Sequence, residues 1–410
     1  MRPWDCCRPP GSGLAEVEGQ MADEIDTLLV ETTPRAMRIA LMAGDRLAEL
    51  HIDRPARGHR VGDVFVGRVT RVVPGLKAAF VDLGENVEGF LRAKEADVER
   101  SGEAISKLVQ EGAWVAVQIK ADAHDDKGPV LTRRFDDPDG ALASDAMRVD
   151  PPRLISRSEP LLHGLAGRYP EARVIADTPS DVVPLKQRKH TGEIVLHQGV
   201  EPLFESAGVE DQIERALAER IRLTGGVELL FEPGRTLTAI DVDSAAASEK
   251  PGDALAINLD CVPVIARQVR LRNLAGLIAI DFLNMKDRDD GATLMKSLSR
   301  HLQHDPRETA LDGPSRFGLV QIARQRQGPD LAGAMGSPVE RATDALVRRL
   351  RQETRSQGGA SFEIRASPEV ARAFQGDDDG ASIARWVGRR IELVVDKVRP
   401  HDRFDVGQSL

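Results

Sequence analysis

Two short apolar runs end in the same three letters, and their repetition constrains the chain more than anything else in it: Leu237-Thr238-Ala239-Ile240-Asp241 and Leu277-Ile278-Ala279-Ile280-Asp281. An amphipathic, arginine-bearing segment, Ala254 to Leu274, separates them. Runs this apolar read as two buried neighbouring strands joined by a crossover helix, the βαβ pattern. Both aspartates then fall at the carboxyl ends of their strands, where open α/β sheets place ligands. A carboxylate closing an apolar strand is costly unless positive charge meets it, and two side by side repel each other. A hard divalent cation such as magnesium resolves that conflict; the plainer alternative is that the two are cap or turn residues.

The chain has 410 residues, too many for one core, so about two to four domains are expected. Apolar content of 41% and charged content of 30% belong to an ordinary globular protein rather than a disordered one. No apolar run approaches the roughly 20 residues of a membrane span. Met1 to Gln20 lacks an apolar core of its own and reads as a disordered leader, with Met21 an alternative start. Two of the three cysteines, Cys6 and Cys7, lie in it, so no disulfide framework and no Cys-x-x-Cys zinc site is available, and a cytoplasmic setting is expected. A net charge of −9 argues against nucleic-acid binding through bulk charge, though not against a local basic channel. One stretch is net basic: Val264 to Arg326 holds eleven Arg or Lys against seven Asp or Glu. That balance suits either an approaching phosphodiester or a solvated helix face.

Along the chain, Thr27 to Glu31 predicts a strand, and Met37 to Leu41 with Arg46 to Ile52 a hairpin. Five strands follow between Val61 and Phe135 (Val64 to Val73, Lys77 to Leu83, Val87 to Leu91, Trp114 to Lys120, Pro129 to Thr132), with a helical insert near Ala96 to Gln110. That is the rhythm of an OB-type barrel. Phe80 and Phe90 lie in alternating runs with Arg68, Arg71, Lys77, Arg92 and Lys127 nearby, either as core or as a platform on which single-stranded bases stack. Asp136 to Glu159 reads as a linker. Asp211 to Leu223 predicts a helix ended by Gly225-Gly226, Thr293 to Gln303 another, Phe317 to Ala323 a strand or the start of a helix, and Gly328 to Ser337 a flexible hinge. The tail from Pro338 predicts a small α/β domain in which Asp377, Asp378 and Asp379 form an acidic turn.

The stretch Val66-Gly67-Arg68-Val69-Thr70-Arg71-Val72-Val73-Pro74-Gly75-Leu76-Lys77-Ala78-Ala79-Phe80-Val81-Asp82-Leu83-Gly84 resembles the opening of the S1-type domain of the ribonuclease E and ribonuclease G family. Ala239 to Ser244 and Ile265 to Met285 resemble its catalytic signature, and Ser315 to Leu319 and Arg324-Gln325-Arg326 follow in register. The resemblance implies a multidomain α/β fold. Its parts are a leader (1–20), an RNase H-like subdomain (21–60 and 136–218, the latter including a reduced linker), an inserted S1-type OB-fold barrel (61–135), a DNase I-like catalytic subdomain (219–330) and a small C-terminal α/β domain (331–410). It implies a magnesium-dependent endoribonuclease of the cytoplasm acting on single-stranded RNA in processing or decay. Carried over by position, Asp241 and Asp281 are the catalytic and metal-holding aspartates, with Asp243 in place of the family's third ligand, an asparagine. Phe80, Phe90 and Lys127 match residues that grip RNA. Arg68, Arg316, Arg324 and Arg326 are further candidates for meeting phosphates.

Three departures accompany the resemblance. Asp243 keeps an oxygen ligand but adds a charge. The family's paired zinc cysteines have no counterpart in Gly328 to Gly336, so any homo-oligomer forms without a zinc link. Between Phe135 and Arg173 no counterpart appears of the Arg-Thr pair that reads a 5′ monophosphate. The rival expectation is therefore a non-catalytic RNA-binding protein descended from such nucleases. No dinucleotide, Walker or nucleophile-elbow motif supports a small-molecule enzyme.

Overall fold

The computed structural model describes residues 24–54, 59–121, 128–135, 152–188, 190–244, 254–285, 287–376 and 379–408. The leader, Lys127 and the Asp377-Asp378 pair lie outside them. The described residues fall into two compact units: Glu24–Leu217 with Arg270–Ala275 and Gln325–Leu410, and Ala218–Val269 with Gly276–Arg324.

The first unit begins with an antiparallel meander of β1 (Thr27–Thr32), β2 (Met37–Ala43) and β3 (Arg46–Asp53). Then comes a barrel of β4 (Val64–Val73), β5 (Ala78–Asp82), β6 (Glu88–Arg92), β7 (Trp114–Ala121) and β8 (Val130–Thr132), closed because β4 pairs with both β5 and β7. A strand the sequence reading missed, β9 (Arg153–Ser156), adds to β4 inside what reads as a linker; it is half exposed and carries no apolar alternation to betray it. The expected helical insert is two single turns, Ala93–Ala96 and Ile105–Leu108. Gly67 shows how tightly the barrel closes, since a Cβ there would lie 2.4 Å from Val81.

After the barrel, β10 (Arg173–Ala176) and β11 (Ile194–Leu196) return to the first sheet and run parallel to β1, giving the order β11-β10-β1-β2-β3. Leu28 and Val30 pack with Leu162, Leu165 and Val182 on one face, while Leu29, Ala40 and Met42 pack with Phe204, Val209 and Ile213 on the other. Helices on both faces explain why β1 and β2 are continuously apolar rather than alternating. The sheet is thus a meander extended by two strands parallel to its first.

The second unit is one six-stranded sheet, β12 (Arg220–Arg222), β13 (Glu228–Pro233), β14 (Leu237–Asp243), β15 (Gly276–Asp281), β16 (Thr309–Asp312) and β17 (Val320–Arg324), in the order β12-β13-β14-β15-β17-β16. The helix Ala254–Leu271 joins β14 to β15 as the crossover predicted, and Arg288–Leu302 follows. The helix expected over Asp211 to Leu223 stops at Leu217; Gly225 and Gly226, both with positive φ, form the hairpin turn between β12 and β13 instead of a helix end.

The tail belongs to the first unit. Its sheet, β18 (Ser361–Ala366), β19 (Arg390–Val395) and β20 (Asp405–Gln408), packs with helices Pro338–Ser356, Pro368–Gln375 and Asp379–Val387 around Leu346, Leu350, Phe362, Ile364 and Phe374. The expected hinge contains a helix, Leu331–Met335, capped by Asp330 and anchored by buried Leu331. Among the described residues no helix is long and apolar enough to cross a membrane.

Glu49 on β3 is buried and accepts hydrogen bonds from Arg270 Nε (2.7 Å) and His51 Nε2 (2.9 Å). Burial pushes its carboxyl up, but the two cations outweigh that and hold it at about 2, against an ordinary 4.5. A depressed carboxyl stabilises the fold fully above pH 4.5 and loses that contribution as pH falls through 2, about 3 kcal/mol in all. Urea midpoints measured between pH 5 and pH 2 should therefore fall less steeply for Glu49→Gln than for the unaltered protein.

Candidate active site and RNA-binding face

Parallel pairing puts Leu237 opposite Leu277, Ala239 opposite Ala279, and Asp241 opposite Asp281. Thr238, Ile240 and Val242 are buried, as are Ile278 and Ile280, whereas Asp241, Asp243 and Asp281 are exposed on the other face. The expectation that both runs are buried strands is thus half corrected. One face is open, with Leu237 40% and Leu277 42% exposed, because this sheet carries its buried apolar residues on a single side.

The Asp241 carboxyl sits above its ordinary value, first because it is partly desolvated and then because Asp281, Asp243 and Glu232 repel its charge, against one backbone hydrogen bond from Val242. Two carboxylates directly opposed on an accessible sheet face are a donor set that suits magnesium, which takes one or two carboxylates and keeps water and phosphate for its other positions. Among the described residues no three His, Cys, Asp or Glu side chains are grouped as a metal site, though Asp243 shares the exposed face of β14 with Asp241 and its charge is felt there. Asp243 lies two residues along β14, about 6.6 Å by strand geometry, and faces Glu228 in register.

The candidate arginines separate sharply. Arg316 is exposed in the turn before β17. Arg326 is exposed and donates to the carbonyl of Ala275 (3.2 Å). Arg324 is not available to RNA: its side chain is 2% exposed, and its guanidinium grips Asp305 through Nε (2.7 Å) and Nη2 (3.0 Å). It faces inward because Arg324, Ile322 and Val320 share the buried side of β17.

On the barrel, Phe80 and Phe90 are directly opposed across β5 and β6, half-buried and outside the core made by Phe65, Val69, Leu91, Val117 and Leu131. Their rings meet edge to face at 5.5 Å. A bulge in β4 brings Arg71 rather than Thr70 opposite Phe80, and its guanidinium lies 4.4 Å over that ring. Arg92 stands 6.0 Å from Phe90, and Arg68 stands 5.9 Å from Trp114, an aromatic whose part in this surface the sequence did not reveal. Aromatic faces beside guanidinium groups form a surface on which unstacked bases can lie.

The fold and these surfaces define a multidomain α/β protein with an S1-type barrel and a paired-aspartate sheet. The S1 RNA binding domain model matches residues 58–134, and the Ribonuclease E/G family model matches residues 172–327. Ribonuclease G of Escherichia coli strain K12 is 26% identical over 482 aligned positions, covering 92% of this chain and 99% of that protein. Ribonuclease G of Haemophilus influenzae is 25% identical over 485 positions, covering 92% and 98%. Ribonuclease E of Escherichia coli strain K12 is 28% identical over 393 positions, covering 74% of this chain and 37% of that protein. The chain thus carries a ribonuclease E/G family domain and an S1 RNA binding domain, and is similar along most of its length to ribonuclease G. The first two alignments are longer than the whole 410-residue chain, so those relatives contain residues with no counterpart here.

Removing one partner of a buried pair leaves the other charge uncompensated, so Arg324→Ala should cost about 3–5 kcal/mol in urea unfolding. Arg316→Ala should leave stability within about 0.5 kcal/mol. If Arg316 meets a phosphate, its variant alone should reduce by about one the slope of RNA affinity against salt, measured by fluorescence anisotropy.

Proposed function

We propose that this chain is a cytoplasmic, magnesium-dependent endoribonuclease that hydrolyses phosphodiesters of single-stranded RNA. The observation that carries this reading is the in-register opposition of Asp241 and Asp281 on an accessible face, within the segment matched by the family model. The relatives are named ribonucleases, and the barrel matches an RNA-binding domain.

Phe80 and Phe90 stack bases of the strand while Arg68 and Lys127 track its backbone. Asp241 and Asp281 hold the cation, and Asp243 deepens the negative potential that draws it. Bound there, magnesium supplies Lewis-acid stabilisation of the charge that develops on the phosphate. Arg316 neutralises a flanking phosphate, and the downstream product keeps its 5′ phosphate. With no counterpart of the Arg-Thr pair, cutting proceeds without reading the 5′ end. Any homo-oligomer assembles without zinc.

The test is an incubation of the protein with labelled single-stranded RNA carrying either a 5′ monophosphate or a 5′ hydroxyl, with magnesium or with EDTA. Cutting should require magnesium, proceed equally on both ends, and fall on the order of 100-fold or more in Asp281→Asn while RNA affinity is kept. An Asp281→Asn variant cutting at the normal rate would remove the assignment. Tight RNA binding by the unaltered protein without any cutting would establish the non-catalytic alternative.

A further inference from the structure

Of the eleven phenylalanines in the chain, Phe317 alone is exposed, at 83%. It is not on a frayed segment. Ser315 N donates to Leu319 O (2.9 Å), Gly318 N to Ser315 O (3.0 Å) and Phe317 N to Ser315 Oγ (3.3 Å), so the turn is fastened from within. Gly313 closes it with φ +122°, where a Cβ would lie 2.8 Å from Leu319 O. The turn also has a definite address. Antiparallel pairing ends at Ile280 opposite Val320, so the residues before Val320 leave the sheet at the end where β15 delivers Asp281. A Cβ at Gly318 would lie 3.8 Å from Asn284 Oδ1, just past that aspartate. Exposed Arg316 precedes the ring.

A phenyl ring held in water by a braced turn contributes nothing to a core, and here it stands beside a guanidinium at the carboxylate end of the sheet. We infer that Phe317 stacks a base of the RNA adjacent to the cleaved phosphate, with Arg316 on the neighbouring backbone, and so sets which phosphodiester reaches the aspartate pair. This rests on the proposed nuclease reading for the cut, while the stacking itself does not. Bases stack on exposed aromatics irrespective of sequence, so the residue positions the strand rather than selecting a nucleotide.

The experiment uses the full chain and variants Phe317→Ala, Phe317→Leu and Phe317→Trp, with single-stranded RNA bearing 2-aminopurine or one abasic nucleotide at successive positions. In calcium, where binding is read alone, Phe317→Ala and Phe317→Leu should weaken binding about fivefold or more, the lower end for one stacked base, and Phe317→Trp should bind within about twofold of the unaltered protein. One abasic position should weaken the unaltered protein and leave Phe317→Ala unaffected. In magnesium, Phe317→Ala should spread cutting over neighbouring bonds, with melting temperature unchanged. Equal affinity across all four proteins and no position-specific abasic effect would overturn the inference, whether or not the chain cuts. A change of oligomeric state in Phe317→Ala without any RNA effect would also overturn it, by assigning the ring to a protein contact. If nothing cuts but the affinity pattern holds, stacking stands and the nuclease reading falls.

Discussion

The register of β14 against β15 is the constraint on which the candidate site depends. Side chains alternate along a strand, so a slip of one residue would send Asp281 into the buried face and bring Ile280 out. What forbids the slip is hydrophobic: Ile240, Val242, Ile278 and Ile280 must stay on the covered side. The aspartates are therefore placed by their neighbours' need for burial rather than by any attraction of their own, and repulsion between them works against the arrangement. The open face makes this tolerable, because exposed carboxylates keep most of their hydration. A site that must take and release charged groups gains from being only partly desolvated.

The chain treats its arginines in two ways, and the division separates structure from surface chemistry. Arg38 is buried between Glu31 and Glu210, Arg324 is locked to Asp305, and Arg351 pairs with Asp177 beneath the ring of Trp386. Each stands with carboxylates, as a charge removed from water must. Arg68, Arg71, Arg92 and Arg316 are exposed, and the first three of these lie over aromatic rings. A net charge of −9 describes neither group. For the same reason the basic excess between Val264 and Arg326 overstates the field available to a phosphate: Arg324 only cancels Asp305 within the stretch, but Arg270 is neutralised by Glu49 from outside it.

Much of the architecture is legible in the sequence wherever burial writes a pattern. The continuous apolar strands β1 and β2, the glycine-punctuated barrel and the repeated runs ending in aspartate all announce themselves, and the crossover helix follows from the spacing. What escapes notice depends on partners distant in sequence. Arg153–Ser156 becomes a strand only because β4 offers an edge, and Gly225-Gly226 can end a helix or turn a hairpin until β13 is seen to pair back on β12. At the site, pairing Asp241 with Asp281 was readable, but the inward turn of Arg324, the distance of Asp243 and the exposure of Phe317 were not. Each depends on what the rest of a sheet covers.

The barrel platform poses an energetic question that its geometry answers. In the absence of RNA the face of Phe80 is occupied by Arg71, 4.4 Å above it. A base that stacks there must move the guanidinium or lie against it. An exposed cation–π contact is worth about 0.5–1 kcal/mol, whereas a stacked base contributes about 1–3 kcal/mol, so a base stacking there as proposed would displace the guanidinium. A displaced Arg71 would then be available to pair with a phosphate of the strand. The resting contact thus keeps the ring covered and the arginine placed, at a cost smaller than what the base returns. The edge-to-face contact between Phe80 and Phe90 sets the angle between the two rings.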